Sequence, residues 1–212
     1  MPATMARPSE EETGVLEVLT GTGLAIAAGL NAYIPLLALG LAGRFLDVVQ
    51  LPAAWAWLEN EWVLGILVVL LVIEMVADRV PVVDTVNDAV QSIVRPAAGG
   101  IVFGTGTSSE TVAVSDPAAF IDSGSWVPVV IGIVIALLVH LAKMALRPVA
   151  NALTAGAAAP VLSTVEDVGA VMLSVFALIL PVLVVVSIVG AVAAIVLTLR
   201  RARQRRRSVS PA

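Results

Sequence analysis

Six ionisable residues fall where hydrocarbon is expected. Glu74, Asp78, Arg79, Asp84, Asp88 and Arg95 lie in the stretch WVLGILVVLLVIEMVADRVPVVDTVNDAVQSIVRP, residues 62–96. Glu74 and Asp78 are four apart, and so are Asp84 and Asp88, which puts each pair on one helix face. Gln91 and Arg95 continue the stripe from Asp88. Later, His140, Lys143 and Arg147 stand at i, i+3 and i+7, and Asn151 extends them by a turn. This basic stripe is the natural complement of the acidic one. A carboxylate cluster in a chain with no cysteine and one histidine suits protons or hard cations better than soft metals. No particular metal follows from it.

A charged side chain at a bilayer centre costs ~2.5–3.5 kcal/mol on insertion scales. Such groups must pair, face water, or lie near the headgroups. The plain alternative is position: Asp78, Arg79, Arg95 and Arg147 fall near segment ends, where long side chains snorkel. Glu74 fits that alternative least, because three more apolar residues follow it.

The elements that carry these residues read as membrane helices. The chain is 59% hydrophobic and 13% charged, with a mean hydropathy of +1.01. A water-soluble domain of 212 residues could not hide that much apolar surface, whereas in lipid it faces outward at no cost. Residues 1–13, with Glu10, Glu11 and Glu12, read as a disordered acidic N-terminus without a cleavable signal. Residues 14–199 read as one membrane domain, and 200–212 as a basic tail. Six of the twelve basic residues are Arg200, Arg201, Arg203, Arg205, Arg206 and Arg207, so the rest of the chain carries a net −10. Positive residues beside a span are retained on the cytoplasmic side.

The first apolar run, 14–43, is interrupted by Gly29, Asn31 and Pro35. Two readings stand. One is a kinked helix with small residues for close packing. The other is a broken helix whose opened backbone lines a site, with Asn31 and Tyr33 in the break. Residues 45–61, with Trp55 and Trp57, suit an interfacial segment. Trp62–Ala77 is a short second span, Pro81 interrupts it, and an amphipathic helix follows. The glycine-rich stretch 96–107 reads as a loop or re-entrant piece, and 108–125 as an exposed loop. Trp126–Leu146 is a clean span. Residues 149–162 suit a loop or half-helix, and Ser163 to Glu166 a capping box. Val168–Leu199 reads as one helix kinked at Pro181. A Trp-initiated apolar helix leading to Arg-Pro occurs twice (62–96 and 126–148), a faint internal echo.

Three stretches resemble a known family: GLAIAAGLNAYIPLLALGLAGR (23–44), EMVADRVPVVDTVNDAVQSIVRPAAGG (74–100), and HLAKMALRPVANA (140–152) with STVED (163–167). Together, over roughly residues 14–182, they resemble the bacterial membrane family catalogued as domain of unknown function 4126. The resemblance implies an integral membrane helical protein and brings no activity or assigned residues.

The expected fold is all-α: a polytopic helical membrane bundle with four to six membrane-inserted segments, some broken or re-entrant. The expected function is a small transporter or channel for a cation, a proton-coupled solute or another small solute. Glu74, Asp78, Asp84, Asp88, Asn31 and Tyr33 would form the pathway, with Arg95, His140, Lys143 and Arg147 as charge partners. The alternative is a membrane scaffold or partner subunit registered by buried salt bridges. An enzyme is disfavoured: GTGTSS (104–109) lacks the lysine of a phosphate loop, and only a lipid-phosphate chemistry using Asp and His140 remains conceivable. No cofactor is expected. The expected partners are the lipid bilayer, anionic headgroups at the arginine tail and a second copy of the chain, not nucleic acid. The expected place is the bacterial cytoplasmic membrane, multi-pass, with a cytoplasmic C-terminus.

Overall fold

The computed structural model describes residues 10–46, 49–107 and 124–208. Among these it is all-α, with seven α-helices and one 3-10 turn. The first apolar run is broken, not kinked. Helix α1, Glu10–Leu30, stops before Asn31, and α2 spans Tyr33–Phe45. Asn31 Oδ1 accepts from the backbone N–H of Tyr33 at 3.1 Å and of Ile34 at 3.2 Å, and so serves as the cap of α2. Pro35 therefore falls in the first turn of α2, where a missing N–H leaves no bond unmade.

The 3-10 turn Ala56–Glu59 leads into α3, Glu61–Ala77. Asn60 caps α3 by accepting from Trp62 N–H at 2.9 Å. Pro81 opens α4, Pro81–Gly106, at the position where proline is best tolerated. The reading of 96–107 as a loop is corrected here, since α4 runs straight through Pro96 to Gly106. Its glycines are contact points instead of breakers. A Cβ on Gly99 would sit 2.6 Å from the Gly132 carbonyl oxygen of the next helix. Packing at that crossing outweighs the poor helix propensity of glycine.

Helix α5, Trp126–Thr154, likewise passes through a proline, Pro148, and extends beyond the expected end at Leu146. It ends at Ala155 and Gly156, whose φ values of 50° and 87° give a left-handed stop. Helix α6, Ala158–Ile179, begins five residues before the expected capping box. Ser163 is thus buried inside the helix, and Glu166 is not a cap. The single kinked helix over 168–199 is also corrected: α6 ends at Ile179 and α7, Val182–Ser208, starts after Pro181. Leu180 precedes that proline and is pushed out of the helical region, with φ −143° and ψ 76°. The exposed loop expected at 108–125 lies, up to residue 123, outside the described residues.

Helix α1 is the centre of the bundle. Leu24, Ala25, Ala27 and Ala28 are wholly buried, and α1 packs on α4, α5 and α6. The most extensive helix pair is α4 with α5. Many large apolar side chains also lie on the outside of the bundle. On α3, Trp62, Ile66, Val69, Ile73 and Val76 are exposed along one stripe, while Glu74 on the same helix is buried. Helices α5 and α6 are long and apolar enough to cross a membrane, and residues 14–30, α2 and the first half of α7 form shorter apolar helices.

Candidate functional site

The charged residues converge at one end of the α3–α6 assembly. On α5 the buried residues are Gly132, Ala136, His140, Lys143 and Arg147, a single stripe that turns from small to charged along the helix. On α4, Asp88, Gln91 and Arg95 form the facing stripe. Asp78, in the turn between α3 and α4, is the hub. Its Oδ2 accepts from Lys143 Nζ at 2.8 Å, Arg147 Nη2 at 3.2 Å and Arg95 Nη2 at 3.4 Å. Its Oδ1 accepts from Asn87 Nδ2 at 2.9 Å. Burial works against the charged form of Asp78, but Lys143, Arg95 and Arg147 outweigh it and hold the carboxyl below its usual range.

Arg95 is fully buried and bridges three groups. It donates to Glu74 Oε1 through Nη2 at 2.8 Å and Nε at 3.3 Å, and its Nη1 lies 3.1 Å from His140 Nδ1. Arginine has no acceptor, so His140 Nδ1 must be the accepting nitrogen and Nε2 must carry the proton. The far side agrees. Ser92 Oγ donates to the Asp88 carbonyl at 2.8 Å and accepts from His140 Nε2 at 3.0 Å. A relay of fixed direction results, from Arg95 to His140 to Ser92 to the backbone of Asp88, and it keeps His140 neutral.

Two acids of α6 complete the cluster. Glu166 pairs with Arg147 and, at 3.1 Å, with Lys143 Nζ. Asp167 accepts from Asn31 Nδ2 at 3.1 Å and lies 3.7 Å from Arg79 Nη2. Asn31 therefore caps α2 with one end of its amide and holds α6 with the other. Tyr33, the first residue of α2, lies beside the Gln91 side chain. The helix break and the charge cluster are thus one site.

Of the residues singled out in the sequence, Glu74, Asp78, Asn31, Tyr33, Arg95, His140, Lys143 and Arg147 are brought together. Asp88 is buried beside them, with Oδ1 lacking a hydrogen-bond partner. The Asp84 side chain lies outside the described residues. Glu166, Asp167, Asn87 and Ser92 were missed. The first two are the only acids in the apolar sequence of α6, a signal obscured by reading Glu166 as a cap. Among the described residues, no three His, Cys, Asp or Glu side chains are grouped to hold a metal ion. The chemistry open to the cluster is charge pairing and proton holding. A separate cavity of about 300 Å³ lies between Glu17, Thr20, Gln50 and Thr105. It is ~20 Å away from Asn31 along α1, at ~1.5 Å per residue.

One family, described as Domain of unknown function (DUF4126), matches residues 18–201. The match reaches past the resemblance in the sequence and takes in Arg200 and Arg201. No curated protein and no solved structure matches.

Proposed function

The chain belongs to the family of domain of unknown function 4126, and from its geometry we propose that it is a polytopic membrane protein that moves protons, or a small solute coupled to them, through the site at the α1–α2 break. The observation that carries this reading is the coincidence of two features. A helix is discontinuous at Asn31 and Ala32, and a dehydrated charge cluster stands directly against the discontinuity. Irregular backbone at bilayer depth is tolerated where it is buried in protein or lines a polar path, and transporters place binding sites there. Lipid as the outer solvent is supported by the exposed valine and isoleucine stripe of α3 and by buried Arg95 and Glu74. Helix α7 continues without interruption from its apolar half into Arg200–Arg207. On the positive-inside rule this continuity supports a C-terminus in the bacterial cytoplasm, beside anionic headgroups. Proteoliposome flux tests the proposal: wild type should move protons, and Glu74→Gln should incorporate normally and move none.

A second reading has its own support. Asp78 has both oxygens taken, one of them by three cations. Such a hub registers α3, α4 and α5 whether or not anything crosses, as a scaffold or partner subunit would require. In that case no ion flux appears, and Glu74→Gln only lowers thermal stability.

A further inference from the structure

The cavity at the far end of α1 from Asn31 has a chemistry of its own. It holds about 300 Å³ and is lined by Glu17 and Thr20 of α1, Gln50 of the segment before the 3-10 turn, and Thr105 of α4. Both threonines spend their single hydroxyl hydrogen on a carbonyl. Thr20 Oγ1 donates to Ala177 at 3.0 Å, and Thr105 Oγ1 to Ile101 at 2.7 Å. Toward a molecule in the cavity they can only accept. Glu17 is half-buried and takes part in none of the ion pairs among the described residues. Arg44, the cation of α2 at this end, is already held by Glu61 and by the Glu59 carbonyl. Helix direction adds to the same sign. Helix α4 ends at Gly106 and α6 at Ile179, and Gly106 and Leu178 both line the cavity. The C-terminal end of a helix carries partial negative charge. A carboxylate, two accepting hydroxyls and two helix C-termini thus border one space, and none of them brings a positive charge.

We infer that this cavity binds a primary ammonium group on a short carbon chain, of the ethanolamine type. Glu17 is its counter-charge, and Thr20 and Thr105 accept its N–H groups. Two features of the lining select this class among cations. A metal ion wants oxygens on every side, whereas Leu16, Leu39 and Leu178 give this cavity walls that suit carbon. A quaternary ammonium has no N–H to donate, and it is held by aromatic faces, none of which line the cavity among the described residues. Gln50 turns its amide N–H toward the oxygen at the other end of the ligand. Because the cavity lies at the ends of α4 and α6, a lipid headgroup and a free solute present the same group to it. The site stands apart from the charge cluster and does not rest on the transport reading.

Two binding measurements on the purified full chain test the site and separate the sources. Equilibrium dialysis of labelled ethanolamine against the chain in phosphatidylglycerol nanodiscs reads the free solute. Lipid analysis of the chain purified from membranes containing phosphatidylethanolamine reads the headgroup. Wild type should bind saturably in the first or retain the lipid in the second. Glu17→Gln removes the counter-charge, and Thr105→Val removes an acceptor while keeping its shape. Each should weaken ethanolamine binding by about tenfold or more, or strip the retained lipid. Choline, which lacks an N–H, should not compete. Saturable ethanolamine binding makes this a solute site, and lipid retention without it makes this a headgroup site. Binding from neither source, binding that either variant leaves unchanged, or competition by choline equal to that by ethanolamine overturns the inference. Proton flux is read separately, so the failure of one proposal is distinguishable from the failure of the other.

Discussion

The α4–α5 pair is held together by opposite means at its two ends. Toward the end of α4 and the start of α5 the contact is made by absence: Gly99 and Gly132 let the backbones touch, with Ala136 beside them. About one turn back along α4 and three to four turns on along α5, Arg95, Lys143 and Arg147 make the contact through Glu74, Asp78 and Glu166. The glycine end tolerates no added volume but holds no charge. The charged end has side-chain freedom but holds a hub, Asp78, on which three cations converge. Glycine fixes how close the helices lie, and the cluster fixes which faces meet.

The largest effect is expected at the hub. Asp78→Asn leaves Lys143, Arg147 and Arg95 facing a neutral amide, and breaking a buried pair by removing one partner costs about 3–5 kcal/mol. Thermal melting in detergent should show it as the steepest single loss. Combining Asp78→Asn with Lys143→Met should recover part of that loss, with a coupling of about 0.5–3 kcal/mol in a double-mutant cycle. At the other end, Gly132→Ala drives a methyl into the Gly99 carbonyl, and overpacking of this kind costs about 1–3 kcal/mol. No charge substitution should rescue it. Gly65→Ala on α3 sharpens the contrast, since a Cβ there meets nothing within 4 Å. It should cost nothing, or stabilise by up to about 1 kcal/mol through helix propensity. The smallest effect is with pH. Asp78 has a lowered folded-state value, so its stabilisation is complete above the ordinary carboxylate range and fades as pH falls through the lowered value. Melting temperatures followed into acid should drop less in Asp78→Asn than in wild type.

The sequence carried the charged end better than the glycine end. His140, Lys143 and Arg147 are legible because their 3- and 4-residue spacing admits one face only, and the acidic stripe ending at Arg95 is legible for the same reason. That the stripes meet at Asp78 depends on the turn at Pro81, which local spacing does not encode. Gly99, Gly100 and Gly104 carry a low helix propensity, so they read as a loop until the partner Gly132 is known. Pro181 and Pro35 were visible, but whether a proline kinks or breaks depends on what caps the freed ends. Asn31 supplies that cap for α2, while at Leu180 the chain turns extended. Glu166 was hidden by a local motif whose chemistry, hydroxyl then glutamate, also serves a mid-helix ion pair.

The most direct test of the central claim is proton flux into proteoliposomes, wild type beside Glu74→Gln at matched incorporation, read with a proton-sensitive dye. Transport through the site predicts a flux in wild type that is abolished in the variant. Absence of flux in both, or equal flux in both, would contradict it and leave the cluster as the element that registers the helices.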